Sequence, residues 1–264
     1  MPKFNDHETR GYLCIDMHCH SRYSSDGIAS VKAILKKASN LGIGVAITDH
    51  NTIVGSQEAL ELSGGRVVVI PGIEVTTKER KDLIIYFYSP GEMIDFYNDY
   101  IRKRRTRRVV NRTNLELKQM IEAARQYRVF IGAPHPHGLA YKNLYKYLKR
   151  KKRESIISSL DGIEGVNARL TRAGNLKAID LAASFNKPIF GGSDAHSVAR
   201  IGHVLTCSRA RNYEEFLDNL AVGDSFIVGR KNQIYASLGE NTASKSGFMD
   251  QFRQGLRKRK NRAA

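Results

Sequence analysis

His18 and His20 stand one residue apart at the end of an apolar run, CIDMHCHSRYSSDG, with Asp26 six residues after the second histidine. Comparable residues recur along the chain: Asp49-His50, Glu74, His135-Pro136, Glu164 with Asn167, and Asp194 with His196. Neutral imidazole and carboxylate oxygen are the ligand set for zinc, manganese or iron. A lone histidine after a strand is ordinarily a satisfied polar residue. Here five of the eight histidines end apolar runs, beside Glu74 and Asp194, and that pattern points to a metal centre. Side chains alternate along a strand, so His18 and His20 share a face while Cys19 points away and packs. His7 lies in a polar N-terminus, His203 reads as structural, and His137 of the HPH triplet lies close enough in sequence to approach the site.

The elements that must position these residues alternate. Short apolar runs at 12–18, 44–50, 66–77, 82–88, 129–135, 162–167 and 188–194 read as strands, and 226–229 as a late one. Helical patterns cover 30–41, 56–63, 143–158, 174–186 and 213–221. A helical region over 92–127 lacks an internal Gly or Pro and is too long for one helix, so a break is expected near 108–112, with RKRRTRR (102–108) mid-helix. Strand–helix alternation predicts a parallel sheet covered by helices. Seven such units favour an α/β barrel, TIM-like and seven-stranded, over an open doubly wound sheet. In such a barrel the C-terminal strand ends open on one face, where active sites form, and the candidate ligands would converge there.

Bulk properties narrow the setting. The net charge is +17; residues 241–264 supply +6 of it, from seven Lys/Arg and one Asp, which leaves +11 on the body. This favours polyanionic partners, nucleic acid or phosphorylated metabolites. No run of eighteen apolar residues suggests a membrane span. The polar start and the three scattered cysteines, Cys14, Cys19 and Cys207, fit no disulfide framework and predict a cytoplasmic, reducing setting. Residues 1–237 read as one catalytic domain and 238–264 as a linker with a basic tail.

The motifs DMHCHSRYSSDG, GVAITDHNTIVG, PGIEV, APHP, GIEGVN and GGSDAH, in that order over residues 13–206, resemble the PHP family, the polymerase and histidinol phosphatase superfamily of metal-dependent phosphoesterases. The resemblance implies a distorted seven-stranded β/α barrel with two or three divalent ions per chain (Zn, Mn or Fe). It places His18, His20, Glu74 and Asp194 on a first ion. Glu74 would bridge to a second ion, which His135 also binds, and Asp26, His50 and His196 would hold a third. Many members carry a histidine at the start of the fourth strand; here the matching residue is Asp82, which can also ligate. Asp49 would orient a ligand from behind.

The implied reaction is phosphate-ester hydrolysis by a metal-activated hydroxide, with no serine or cysteine nucleophile. Glu74 and His196 would act in it, and Arg169, just past the sixth strand, would grip phosphate. Basic stretches at 102–108, 141–153 and 256–262, the second interleaved with tyrosines, predict RNA or DNA contact. The expected activity is a phosphodiesterase, nuclease or nucleotide phosphatase. The competing readings are a small-molecule phosphomonoesterase of the histidinol-phosphate type and a non-catalytic nucleic-acid binding module with a degenerate metal site.

Overall fold

The computed structural model describes residues 11–106, 112–138, 143–229 and 233–236. The linker and basic tail expected over 238–264, with the basic stretch 256–262, lie outside the described residues. No described helix is long and apolar enough to cross a membrane.

The chain alternates strand and helix as its periodicity predicts. Strand β1 (Leu13–Cys19) leads to helix α1 (Val31–Leu41). Ser30 caps α1 by accepting from the Ala33 amide, and Gly42 ends it at φ 66°, in the left-handed region. Its buried residues Val31, Ile34, Leu35 and Ala38 recur at helical spacing and pack on the sheet. There follow β2 (Gly44–Ile47), α2 (Val54–Ser63), β3 (Gly72–Thr76), β4 (Asp82–Phe87) and α3 (Pro90–Phe96). After a short hairpin of β5 (Arg105–Thr106) and β6 (Arg112–Thr113) come α4 (Leu117–Ala124), β7 (Val129–Ala133) and α5 (Leu144–Lys151). The chain ends through β8 (Gly162–Asn167), α6 (Arg172–Ser184), β9 (Ile189–Gly192), β10 (Leu205–Ser208), α7 (Tyr213–Ala221), β11 (Phe226–Gly229) and β12 (Gln233–Ala236).

The strands form two five-stranded mixed sheets, ordered β12-β11-β10-β1-β2 and β3-β4-β7-β8-β9. Single bridges tie them: Val45↔Val69 and His50↔Glu74 on one side, Cys19↔Ala195 on the other. One all-parallel sheet was expected, yet β3–β4, β4–β7 and β1–β10 pair antiparallel. The connection over 77–81 is too short for a crossover helix, so β4 must return alongside β3. Between the sheets lies a core of Ile15, Met17, Ala46, Ile84, Tyr86, Phe130 and Phe190, closed by Phe216, Leu217 and Leu220 of α7.

Two further expectations are corrected. RKRRTRR is not mid-helix: α3 gives way to a π-helical turn, Tyr97–Arg102, and then to β5. Arginines three and four apart repel on a helix, which removes its advantage there; residues 107–111 lie outside the described residues. The cysteines do form a framework, because Cys14 on β1 and Cys207 on β10 are directly opposed and disulfide-bonded, leaving buried Cys19 free. A separation of 193 residues hid this pairing. Denatured, unreduced protein should therefore expose one titratable thiol per chain, not three. Reduction should lower unfolding stability by about 2–4 kcal/mol in denaturant titration.

Candidate metal centre

The residues singled out by type and spacing meet at one rim. His18 is the penultimate residue of β1 and His20 follows the strand, His50 follows β2, Glu74 lies in β3, Asp82 starts β4, His135 follows β7, and Asp194 and His196 follow β9. A bulge in the β1–β2 register between Asp16 and Cys19 aims the histidines. Cys14 and Cys19 pack in one cluster while Ile15 and Met17 pack in another, an arrangement that strict alternation forbids. Three rim residues, Asn51 (φ 54°), His135 (φ 30°) and Asp194 (φ 49°), adopt the left-handed backbone that disfavours side chains. Such strain gathers at functional sites. Gly192 permits the close approach of β9 to β1: a Cβ there would lie 2.4 Å from the His18 Cβ.

Around Glu74 the donor atoms are spaced like ligands of one ion. His18 Nε2 lies 3.1 Å from His20 Nε2, 3.3 Å from Glu74 Oε2 and 3.7 Å from Asp194 Oδ1. His20 Nε2 is 3.4 Å from each of the same two oxygens. Atoms about 2.0–2.2 Å from a common ion in tetrahedral array would be roughly 3.4 Å apart. The other Glu74 oxygen, Oε1, lies 3.1 Å from His135 Nε2, which is 4.0 Å from Asp82 Oδ2. Asp82 Oδ1 accepts from the Thr76 hydroxyl at 2.7 Å, which leaves Oδ2 toward the centre. On the open side Asp26 Oδ2 lies 2.8 Å from His196 Nε2 and 3.5 Å from His50 Nε2. Four groups of three have ligand atoms close enough for an ion: His18-His20-Glu74, His18-His135-Asp194, His20-Asp26-His196 and His50-Glu74-Asp82. All nine candidates are thus gathered. Cys19, His137 and His203 belong to none of these groups, and the His137 ring meets Tyr145 edge-on at 5.4 Å.

Buried partners behind the ligands set their tautomers. Glu164 Oε1 lies 2.9 Å from His18 Nδ1, so a proton there leaves Nε2 free to face the cluster. Glu164 Oε2 accepts from the His135 amide at 2.6 Å and from Asn167 Nδ2 at 3.0 Å. Ser24 does the same for His20 Nδ1 at 3.3 Å, donates to Asp26 Oδ1 at 2.8 Å and accepts from the His50 amide. Glu164 was visible as a strand-end carboxylate but had no role assigned. Ser24 was missed, and its place within SRYSSDG between two ligand positions was the available signal. Asp49 was expected to orient a ligand. It instead accepts from the amide and hydroxyl of Ser21, both at 2.6 Å, and so anchors the chain just after His20. Arg169 Nη1 lies 2.6 and 2.8 Å from the ring nitrogens of His196 and 3.9 Å from Asp194 Oδ1.

The electrostatics suit cations. Burial disfavours charge on Glu74, but His50 and His18 outweigh it and hold the carboxyl well below its usual range. Asp194 is likewise held low, against burial, by His18 and His20. Burial also opposes charge on His50, yet Glu74 and Asp26 raise it to about 9; burial lowers His20 to about 4.

A largely buried histidine–carboxylate cluster at the strand ends of an α/β fold is a site that could hold divalent ions. A family model, PHP domain, matches residues 16–221, and the chain belongs to that family. An uncharacterised protein of Methanocaldococcus jannaschii is 33% identical over 167 residues, covering 58% of this chain and 81% of that one. A two-domain protein of Bacteroides vulgatus containing a predicted PHP-like metal-dependent phosphoesterase shares the fold at TM-score 0.61 and 17% identity, over 84% of this chain and 66% of that one. The lesion-specific endonuclease EndoQ of Pyrococcus furiosus shares it at TM-score 0.64 and 20% identity, over 82% of this chain and 58% of that one.

Glu164→Gln should keep the fold by circular dichroism yet weaken divalent-ion binding about 10–100-fold in calorimetry. In metal-free protein, the stabilisation from charged His50 is complete below its ordinary value of 6.5 and is lost as pH rises through about 9. Because an ion needs the neutral ring, ion affinity should run the other way, rising across that window. Zinc uptake at pH 7 should release at least one proton, read from binding heats in buffers of different ionisation enthalpy.

Proposed function

We propose that the protein is a metal-dependent phosphoesterase whose catalytic unit is residues 1–237, a distorted seven-stranded barrel with the single bridges as its seams. The observation that carries this is the set of donors around Glu74, spaced 3.1–3.7 Å apart with both histidine tautomers pinned from behind. His18, His20, Glu74 and Asp194 would hold one ion. Glu74 with His135 and Asp82 would hold a second, and Asp26, His50 and His196 a third. Zinc, manganese or iron fits these donors. Bound ions would supply Lewis acidity and a nucleophilic water at neutral pH.

The chain's own groups do the rest. Glu74, whose Oε2 faces His18 and whose Oε1 faces His135, would serve the first two sites. Arg169, whose side chain is about half exposed beside His196, grips the equatorial oxygens of phosphate with its planar fork. No serine or cysteine serves as nucleophile: Ser24 and Ser193 are committed to structural hydrogen bonds, and Cys19 faces away.

For the substrate we favour nucleic-acid-derived phosphodiesters, cleaved as a nuclease or nucleotide phosphatase. The charge of +17 and the endonuclease among the fold neighbours support this reading. Lys146, Lys149 and Arg150 on α5 are exposed and available to RNA or DNA. Tyr145 and Tyr147, expected to stack on bases, are half-buried against the core.

Protein reconstituted with zinc or manganese should hydrolyse a phosphodiester or oligonucleotide. The His18→Ala/His20→Ala variant should lose on the order of 10³-fold in kcat. Full activity in that variant would refute the site. Turnover of phosphomonoesters alone would assign a small-molecule phosphatase, and metal-loaded protein that binds oligonucleotides without hydrolysing them would be a binding module.

A further inference from the structure

Outside the third ligand group, a cleft of about 540 Å³ opens to solvent, lined by Asp26, Ile28, Arg169, Asp194, His196 and Arg200. Its inner wall is the metal cluster. Its outer wall carries groups the chemistry above does not use. Ile28 is 79% exposed, the largest value among the described large apolar side chains. An isolated apolar side chain so open to water contributes nothing to folding. Arg200 is exposed and, among the described residues, makes no side-chain hydrogen bond or ion pair, whereas Arg169 already rests on His196 and Asp194. The carboxylates of the cleft face inward: Asp26 toward His196 and Ser24, Asp194 toward His18 and His20. The outer cation is therefore left unneutralised.

The backbone beneath both outer residues is held in place. The Ile28 amide donates to the His196 carbonyl at 3.1 Å, and the Arg22 amide donates to the Ala29 carbonyl at 2.7 Å. Arg200 closes a short 3-10 turn, Val198–Arg200. Just beyond it the Gly202 amide donates to Asp16 Oδ2 at 2.8 Å. Asp16 is fully buried in β1 and also accepts from the amide and hydroxyl of Ser193 at 2.8 and 2.6 Å. The lip is thus pinned to the strands that bear the metal-site residues, as a preorganised subsite requires.

We propose that Ile28 and Arg200 form a subsite for the nucleotide next to the scissile phosphate, so that the substrate is a nucleic-acid strand. The inference rests on the phosphoesterase reading and extends it. Arg200 pairs with the flanking phosphate, and Ile28 supplies the apolar surface against which sugar and base lie. Arg169, one step inward, stays with the phosphate being cleaved. A compact monoester would leave Ile28 and Arg200 unengaged.

The test compares trithymidylate with bis(p-nitrophenyl) phosphate, a diester with no flanking phosphate, on metal-reconstituted protein. Arg200→Gln should lower the ratio of their kcat/KM values about tenfold, mainly through KM for the trinucleotide, and Ile28→Ser by several-fold. Arg66→Gln, at a surface arginine in a separate groove, serves as the charge control and should leave the ratio unchanged. In anisotropy titrations with labelled hexathymidylate, Arg200→Gln should weaken binding about tenfold and reduce the salt slope by about one. An unchanged ratio with unchanged hexathymidylate affinity, or equal losses in the Arg66 variant, would overturn the subsite. If no ester is hydrolysed, the phosphoesterase reading fails, and the anisotropy comparison still decides the subsite.

Discussion

A carboxylate with no solvent exposure sits at the centre of this protein, and the rest of the site answers to it. Burying Glu74 as an anion is affordable only beside compensating charge. Four imidazoles supply partners: His18 and His20 at one oxygen, His135 at the other, and His50 with Nδ1 at 3.4 Å. Without ions, charge on the histidines must offset the carboxylates. Bound ions would take over that role, with the imidazoles as neutral ligands. This explains why the surrounding protein is so committed to holding ring orientation, through Glu164 and Ser24, rather than to packing alone.

The backbone yields locally to meet that demand. A bulge in β1 shifts the phase of alternation, so that Ile15 and Met17 fill the core while His18 and His20 still reach the centre. Gly192 lets β9 run against His18, and left-handed residues at Asn51, His135 and Asp194 turn the chain at the strand ends. Beneath the site the core is aromatic and fully buried, and the Tyr86 hydroxyl donates to the Met17 carbonyl at 2.6 Å, one residue before His18. These devices place strain at the rim and rigidity below it, the division expected where precise side-chain placement matters more than local stability.

Away from the centre, the charge of the chain is distributed over distinct structures rather than over one helix. Part of RKRRTRR forms a turn and a short strand. Within the second basic stretch Leu144–Lys151 form α5, whose Leu144 and Leu148 bury themselves and whose lysines face water. Both tyrosines of that helix are needed by the core, which narrows their use in recognition. The cross-strand disulfide belongs to the same scaffold logic, since it joins β10 to the strand that carries His18.

Much of this was legible in the sequence, because it depends on local rules. Helical spacing and caps mark α1, including Ser30 and Gly42, and α7 falls on the residues its periodicity predicts. The ligand types mark the centre, because imidazole or carboxylate recurs where the runs ending at His18, His50, His135 and Asp194 stop. Other features were decided only in three dimensions. These are the split into two mixed sheets, the pairing of Cys14 with Cys207, the bulge in β1, the partners of Glu164 and Ser24, and the placing of Ile28 and Arg200 on one cleft. The physical reason is common to all of them. Hydrophobic period and capping act within a few residues, whereas register, close approach and hydrogen-bond partnership join positions up to 193 apart, and no local pattern records which distant partner a buried group will find.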